Sequence, residues 1–149
     1  MSERAEVERA AAIVTGAGRD LVLLHCNYPL ADGRWDLRRM STLRDLAGSV
    51  GLSDHSAGYD LRSSLLAIAL GADWIERHFV LSRPSAARDA PVSIDPEGLA
   101  RLVAATRDPE PHLALAERHP EILGEADRPL SEPVRRLREF YVGRWGDNR

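Results

Sequence analysis

The sequence predicts an α/β fold: part of a parallel (βα) barrel with three strands and flanking helices, followed by an irregular helical tail. Short apolar runs of strand length alternate with helical patterns, which is typical of a parallel sheet. Two of these runs end in a histidine, His55 and His78, as expected of strands that deliver side chains to one barrel rim. The chain has 149 residues, whereas a complete eight-stranded barrel takes about 250.

The first elements follow from periodicity and end signals. Residues Ser2–Thr15 carry apolar side chains at helical spacing, and Gly16 can end that helix. Leu21–Cys26 is almost wholly apolar, as a strand buried on both faces would be. A second helix is predicted over Asp36–Ala47, closed by Gly48.

The next strands are predicted at Val50–Asp54 and Ala72–Phe79, with a helix over Asp60–Leu70 between them. After a loop, Asp95 followed by Pro96 begins another helix, because aspartate is a good N-cap and proline is favoured at the first helical position. The predicted buried stripe of that helix consists of Leu99, Leu102 and Val103.

The region beyond Arg107 is broken into short pieces by prolines, with one helix predicted near Pro133–Tyr141. We therefore expect two regions. Residues 1–107 would form the partial barrel, and residues 108–149 would form a proline-broken helical tail.

Composition excludes several classes of protein. The net charge is −3 and the charges are interspersed, so neither nucleic acid nor an anionic membrane surface is an expected partner. No apolar run approaches the roughly 20 residues that span a bilayer, and the first residues do not contain the apolar stretch that is typical of a signal peptide. Cys26 is the single cysteine and the 20 basic residues are all arginine. We expect a cytoplasmic protein without an internal disulfide or a Schiff-base lysine.

The two histidines are candidate ligands of a divalent metal. Because side chains alternate along a strand, Ser53 shares a face with His55, and Glu76 shares a face with His78. A hydroxyl and a carboxylate would thus lie one layer below the imidazoles. Each histidine could instead be a hydrogen-bonded core or surface residue. His25 is interpreted as a buried, hydrogen-bonded residue with Glu76 as its candidate partner.

Four segments of the chain are distinctive: LLHCNYP (Leu23–Pro29), GLSDHSAG (Gly51–Gly58), GADWIERHF (Gly71–Phe79) and RDAPVSIDPEGLARLV (Arg88–Val103). Together they resemble the sialic acid (N-acetylneuraminate) synthase family, which condenses phosphoenolpyruvate with N-acetylmannosamine or related amino sugars. The resemblance runs in the same order over Ser2–Val103 and implies a TIM-type barrel of which this chain carries the last three strands. The family's earlier strands, with their lysines and catalytic glutamate, lie outside it, as does its C-terminal antifreeze-like domain.

The resemblance implies roles for individual residues. His55 and His78 would be the protein ligands of Mn²⁺ or a similar ion, which polarises the sugar's carbonyl group. Ser53 would donate a hydrogen bond to the phosphate of phosphoenolpyruvate.

Further substrate contacts are implied for the loops. Asn27 and Tyr28 would contact phosphoenolpyruvate and the amino sugar, and Asp89 would hydrogen-bond the sugar. Asp89 stands where the family has a GPDH motif, but here the segment reads Arg88-Asp89-Ala90 and lacks the glycine and the histidine.

Two hypotheses follow. The chain is an enzyme, a metal-assisted synthase that forms a carbon–carbon bond once another chain supplies the missing strands, as a homo-oligomer or with a complementary barrel fragment. Alternatively it is a non-catalytic remnant or interaction module of that family. A small metal hydrolase is a third interpretation, but no general base is evident in the sequence.

Overall fold

The computed structural model describes residues 2–27, 34–127 and 129–145. The chain divides into two compact units. One is Leu21–Ala126 and contains the sheet; the other combines Met1–Asp20 with Asp127–Arg149 and contains the two longest helices.

Three strands form one parallel sheet in the order β1-β2-β3. This confirms the predicted α/β fold with three parallel strands and flanking helices. The strands are β1 (Val22–Asn27), β2 (Ser49–Asp54) and β3 (Trp74–Arg77). The helices are α1 (Arg4–Gly16), α2 (Arg39–Leu43), α3 (Arg62–Ala69), α4 (Pro96–Ala105), α5 (Ala114–Arg118), α6 (Pro120–Leu123) and α7 (Glu132–Trp145), with short 3₁₀ turns at Ala90–Val92 and Glu110–Leu113.

The third predicted strand is shorter than expected but continues as a single bridge. Phe79 pairs in parallel with Ile94, and Ile94 donates its backbone N–H to the carbonyl of His78 at 2.8 Å. The outer edge of β3 is therefore partly covered, directly beside one of the two histidines.

The core of the sheet unit lies between the sheet and its helices. Val50 and Leu52 of β2 are fully buried, because every second side chain of the strand points toward the helices. Ile122, in the region assigned from sequence to the tail, is buried in the same cluster. That cluster comprises Trp35, Leu37, Met40, Val50, Leu52, Leu66, Ala67 and Ile122.

Two helical predictions need correction. Of the helix expected over residues 36–47, only α2 forms. Asp36 has a positive φ of 50°, and the N–H groups of Arg39, Met40 and Ser41 bond to carbonyls three residues back, as in a 3₁₀ turn rather than an α-helix. In α4 only Leu102 of the expected stripe is buried, whereas Leu99 and Val103 are 44% and 46% exposed.

In the unit that contains α1 and α7, Arg138 binds the carboxylate of Glu6 through both terminal nitrogens at 2.5 Å. These hydrogen bonds, with one from the backbone of Glu3, lower the pKa of Glu6 to about 2, from an ordinary value of 4.5. A depressed carboxyl pKa contributes stability above the unfolded-state pKa, and the contribution disappears as the pH falls toward the folded-state value.

We therefore expect wild type to be more stable than Glu6→Gln above pH 4.5, and this difference to close as the pH approaches 2. Urea unfolding of both proteins across this range measures it. Glu8→Gln is the control, because among the described residues Glu8 forms an exposed pair with Arg4 and such pairs contribute little. A Glu6→Gln difference that is the same at pH 2 and pH 6 would contradict the linkage.

In the described part of the chain, no helix is long and apolar enough to cross a membrane.

Candidate metal and substrate site

The two histidines come together at the carboxyl ends of adjacent parallel strands. His55 directly follows β2 and His78 directly follows β3, and both are half-buried. Their ring centroids are 5.2 Å apart, and the ring planes are inclined at 67°. Two imidazoles that share one ion through metal–nitrogen bonds of about 2 Å place their centroids roughly 5 Å apart. The observed spacing fits a shared cation.

One layer below the histidines, three side chains lie in register across the sheet. Cys26 is the partner of Ser53, and Ser53 is the partner of Glu76. The Ser53 hydroxyl donates to Oε1 of Glu76 at 2.5 Å, and Sγ of Cys26 lies 3.7 Å from Nδ1 of His55. We call the sheet face that carries these three residues the histidine-side face.

The donor set at this face is small. Among residues 2–27, 34–127 and 129–145, no group of three or more histidine, cysteine, aspartate or glutamate side chains is arranged to hold a metal ion. An ion bound by His55 and His78 therefore needs oxygen from water, from a substrate or from another polypeptide to complete its coordination.

The residues predicted to bind substrate differ in where they lie relative to the histidine-side face. Ser53 is buried on the histidine-side face, as its position in the strand predicted. Asn27 ends β1 opposite Asp54, but its side chain lies outside the description, and Tyr28 lies outside the described residues. Asp89 is exposed, and its backbone carbonyl accepts from the Ser93 hydroxyl at 2.8 Å.

The loop that carries Asp89 packs against the segment that follows His55. Gly58 donates its N–H to the carbonyl of Pro91 at 2.9 Å. A Cβ at Gly58 would collide with the Ser93 carbonyl and the Arg83 guanidinium. A glycine is therefore needed for this close approach, which holds the Asp89 loop beside the histidine segment.

His25 is buried, as expected, but its partner is not Glu76. Its Nε2 lies 2.7 Å from the carbonyl oxygen of Trp35, and in register it lies opposite Leu52, on the face turned away from Glu76. Burial lowers the pKa of His25, so the neutral ring donates its N–H to that carbonyl.

Sequence reasoning missed an ion pair behind the histidines. Asp54 and Arg77 point to the opposite face of the sheet, where their side chains are 0% and 3% exposed. Strand alternation predicts that Asp54 faces away from the cavity, but the sequence contains no signal that Arg77, in the next strand, is its partner.

The chain matches known proteins over most of its length. A family model described as the NeuB family matches residues 1–117. An N,N'-diacetyllegionaminic acid synthase of Legionella pneumophila is 38% identical over 119 residues, which cover 78% of this chain and 32% of the relative. A pseudaminic acid synthase of Campylobacter jejuni is 34% identical over 124 residues, covering 81% of this chain and 33% of the relative. The chain thus spans about a third of the length of these two curated relatives.

Solved structures have the same fold. The spore coat polysaccharide biosynthesis protein spsE of Bacillus subtilis superposes with a TM-score of 0.74 at 24% identity, over 93% of this chain and 41% of that chain. An N-acetylneuraminic acid synthetase of Leptospira borgpetersenii, solved with citrate, gives a TM-score of 0.64 at 27% identity, over 99% of this chain and 48% of that chain.

Proposed function

The chain belongs to the NeuB family, and from this premise we propose that it is the part of a sialic-acid-synthase-like enzyme that holds the metal. The reaction joins the enol carbon of phosphoenolpyruvate to the aldehyde carbon of an N-acetylated amino sugar resembling N-acetylmannosamine. Water adds at the carbon that carries the phosphate, and inorganic phosphate leaves. One observation carries the proposal: the convergence of His55 and His78, at 5.2 Å between ring centroids, where adjacent parallel strands end. The rim at the carboxyl ends of the strands is where barrels of this type carry out their chemistry.

The chemistry requires an electrophilic sugar aldehyde beside the enol carbon of phosphoenolpyruvate. A divalent ion such as Mn²⁺, held by His55 and His78, would polarise the aldehyde oxygen and make its carbon more electrophilic. Each imidazole would bind the ion through an unprotonated ring nitrogen. Two protein ligands would leave room on the ion for a substrate oxygen.

We propose that Ser53 is the residue of this chain that binds the phosphate group. Its hydroxyl donates to Glu76 in the structure without substrate, and a hydroxyl rotates freely to a better acceptor. Substrate binding would therefore redirect the proton of Ser53 from the carboxylate to a phosphate oxygen. Glu76 repels an incoming phosphate, so a cation from another polypeptide would be needed beside it.

The sheet also supports a partner that completes the barrel. In the described part of the chain β1 pairs only with β2, so no described strand pairs with its outer edge. On the histidine-side face Trp74 is 57% exposed and Val22 is 40% exposed, although parallel sheets are normally covered on both faces. We infer that strands of another polypeptide, or of a second copy of this chain, add to the β1 edge and cover this face.

The metal step is tested by calorimetry with Mn²⁺ alone. Wild type is expected to bind one ion per chain. His55→Ala and His78→Ala are each expected to weaken binding at least tenfold, because each removes one of only two protein ligands. His112→Ala is the matched control, since His112 lies on the Glu110–Leu113 turn. Equal affinities in all four proteins, or no binding to wild type, would contradict the proposal.

The condensation is tested on the same variants. The chain is co-expressed with the part of the Legionella synthase barrel that this chain does not match, and the product is measured by mass spectrometry from phosphoenolpyruvate and N-acetylmannosamine. Product is expected with wild type and His112→Ala, and not with His55→Ala. Absence of product with wild type, despite formation of a complex, would favour the non-catalytic remnant.

A further inference from the structure

A buried ion pair lies directly behind the two histidines. Asp54 is the last residue of β2 and precedes His55; Arg77 is the last residue of β3 and precedes His78. Asp54 and Arg77 are also partners in the register of the two strands. Side chains alternate along a strand. The ion pair therefore lies on one face of the sheet, and the two imidazoles project from the opposite face at the same end of the strands.

The arginine anchors the backbone that follows His55. Its Nη1 donates to Oδ2 of Asp54 at 2.5 Å and to Oγ of Ser56 at 2.6 Å. Its Nη2 lies 3.4 Å from the carbonyl oxygens of Ser56 and Ala57. One rigid, planar group that belongs to β3 therefore holds the residues on both sides of His55.

The aspartate extends the same network to a helix. Its Oδ1 accepts the backbone N–H of Ser56 at 2.9 Å, and its Oδ2 accepts the hydroxyl of Ser64, on α3, at 2.6 Å. The turn after β2, the end of β3 and the first half of α3 are thereby connected through two charged side chains.

Stability alone does not account for this arrangement. Removing two charges from water costs several kcal/mol per ion in real proteins, and well-packed apolar residues are often at least as stable in their place. The network also retains a cost, because Nε of Arg77 is buried without a partner among the described residues. What the ion pair provides and apolar side chains do not is directional bonding, since a guanidinium binds several oxygens in a fixed plane.

We infer that Asp54 and Arg77 are positioning residues that set the distance and angle between the rings of His55 and His78, and thereby the metal affinity of the pair. Neither residue contacts the proposed ion. The inference rests on the proposed metal site, so its test must separate a wrong site from wrong positioning.

The test compares Asp54→Asn and Arg77→Lys with a control at the other end of the same strands. Asp73→Asn is that control, because the Asp73 carboxylate accepts from the backbone of Val50 at 2.9 Å and from Arg44 at 3.0 Å. In metal-free protein, the imidazole NMR signals of both histidines are expected to move in the two test variants and to stay in place in Asp73→Asn. The Mn²⁺ affinities of Asp54→Asn and Arg77→Lys are expected to fall about 10- to 100-fold, as when other residues that orient metal ligands are replaced.

A double variant guards against unfolding of the single ones. Asp54→Leu combined with Arg77→Met fills the site with apolar side chains, which should preserve the fold without directional bonds. Circular dichroism is expected to show that the double variant folds, and its Mn²⁺ affinity is expected to fall as in the single variants. Wild-type ring signals and wild-type affinity in this variant would overturn the positioning role. If His55→Ala also retains wild-type affinity, the metal site itself is wrong.

Discussion

Replacing Leu52 with alanine is expected to lower the free energy of unfolding by about 2–5 kcal/mol, as for other fully buried leucines. Leu52 lies in the central strand of the sheet, is 0% exposed, and belongs to the same core cluster as Leu66 of α3 and Ile122 of α6. Truncation removes apolar contact in a packed interior and leaves a cavity that the surroundings fill only partly. Urea denaturation followed by circular dichroism measures the loss.

The matched control is the same substitution at an exposed position. Leu99 of α4 is 44% exposed, so Leu99→Ala is expected to change the free energy of unfolding by about 0.5 kcal/mol or less. Equal losses at the two positions would contradict the placement of the core behind β2. A Leu52→Ala protein with the same urea midpoint of unfolding as wild type would also contradict that placement.

Gly51→Ala is the second substitution with a large expected effect, and it links the sheet to the site. A Cβ at Gly51 would overlap the carbonyl oxygen of Trp74 in β3 and lie 2.7 Å from the Cβ of Trp74. Most of this obstruction is backbone, which cannot rotate away, so β2 and β3 must separate. Overpacking of this kind typically costs about 1–3 kcal/mol, and we expect the upper end.

The functional consequence is a change at the histidines, four residues along each strand. Since His55 and His78 follow the ends of β2 and β3, any separation of the strands changes the distance between their rings. We expect Gly51→Ala to weaken Mn²⁺ binding as well as stability. Gly48→Ala is the control, because a Cβ there meets nothing within 4 Å. If Gly51→Ala and Gly48→Ala have the same free energy of unfolding and the same Mn²⁺ affinity, β2 and β3 can accommodate a Cβ at residue 51 without separating.

The local pattern of apolar and polar residues was sufficient to predict β1 and β2, and to predict which residues share a face of the sheet. β1 and β2 were predicted to within one or two residues, because short apolar runs between turn signals have few other structures available. Alternation along a strand placed Ser53 with His55 and Glu76 with His78 before any tertiary information, since a period of two depends only on backbone geometry.

Contacts between residues distant in sequence decided what pattern could not. The helical periodicity of residues 36–47 is real, but Asp36 has a positive φ of 50° and the regular helix starts only at Arg39. Backbone bonds from Trp35, Leu37 and Arg38 to carbonyls of residues 121–123 attach this segment to a distant part of the chain. Likewise the apolar face of α4 is wider than the surface that covers it, so periodicity overstates burial at Leu99 and Val103. Propensity is a weak prior that tertiary contacts routinely override.

By itself, the sequence determined the order of the three strands and of the helices between them, the face of each strand that carries the histidines, and a resemblance to sialic acid synthases. Only the tertiary structure decided that the two rings lie 5.2 Å apart, and that Asp54 and Arg77, 23 residues apart, bond behind them. The physical reason is that periodicity is a property of a single segment, whereas distances and partners depend on how separate segments pair and pack.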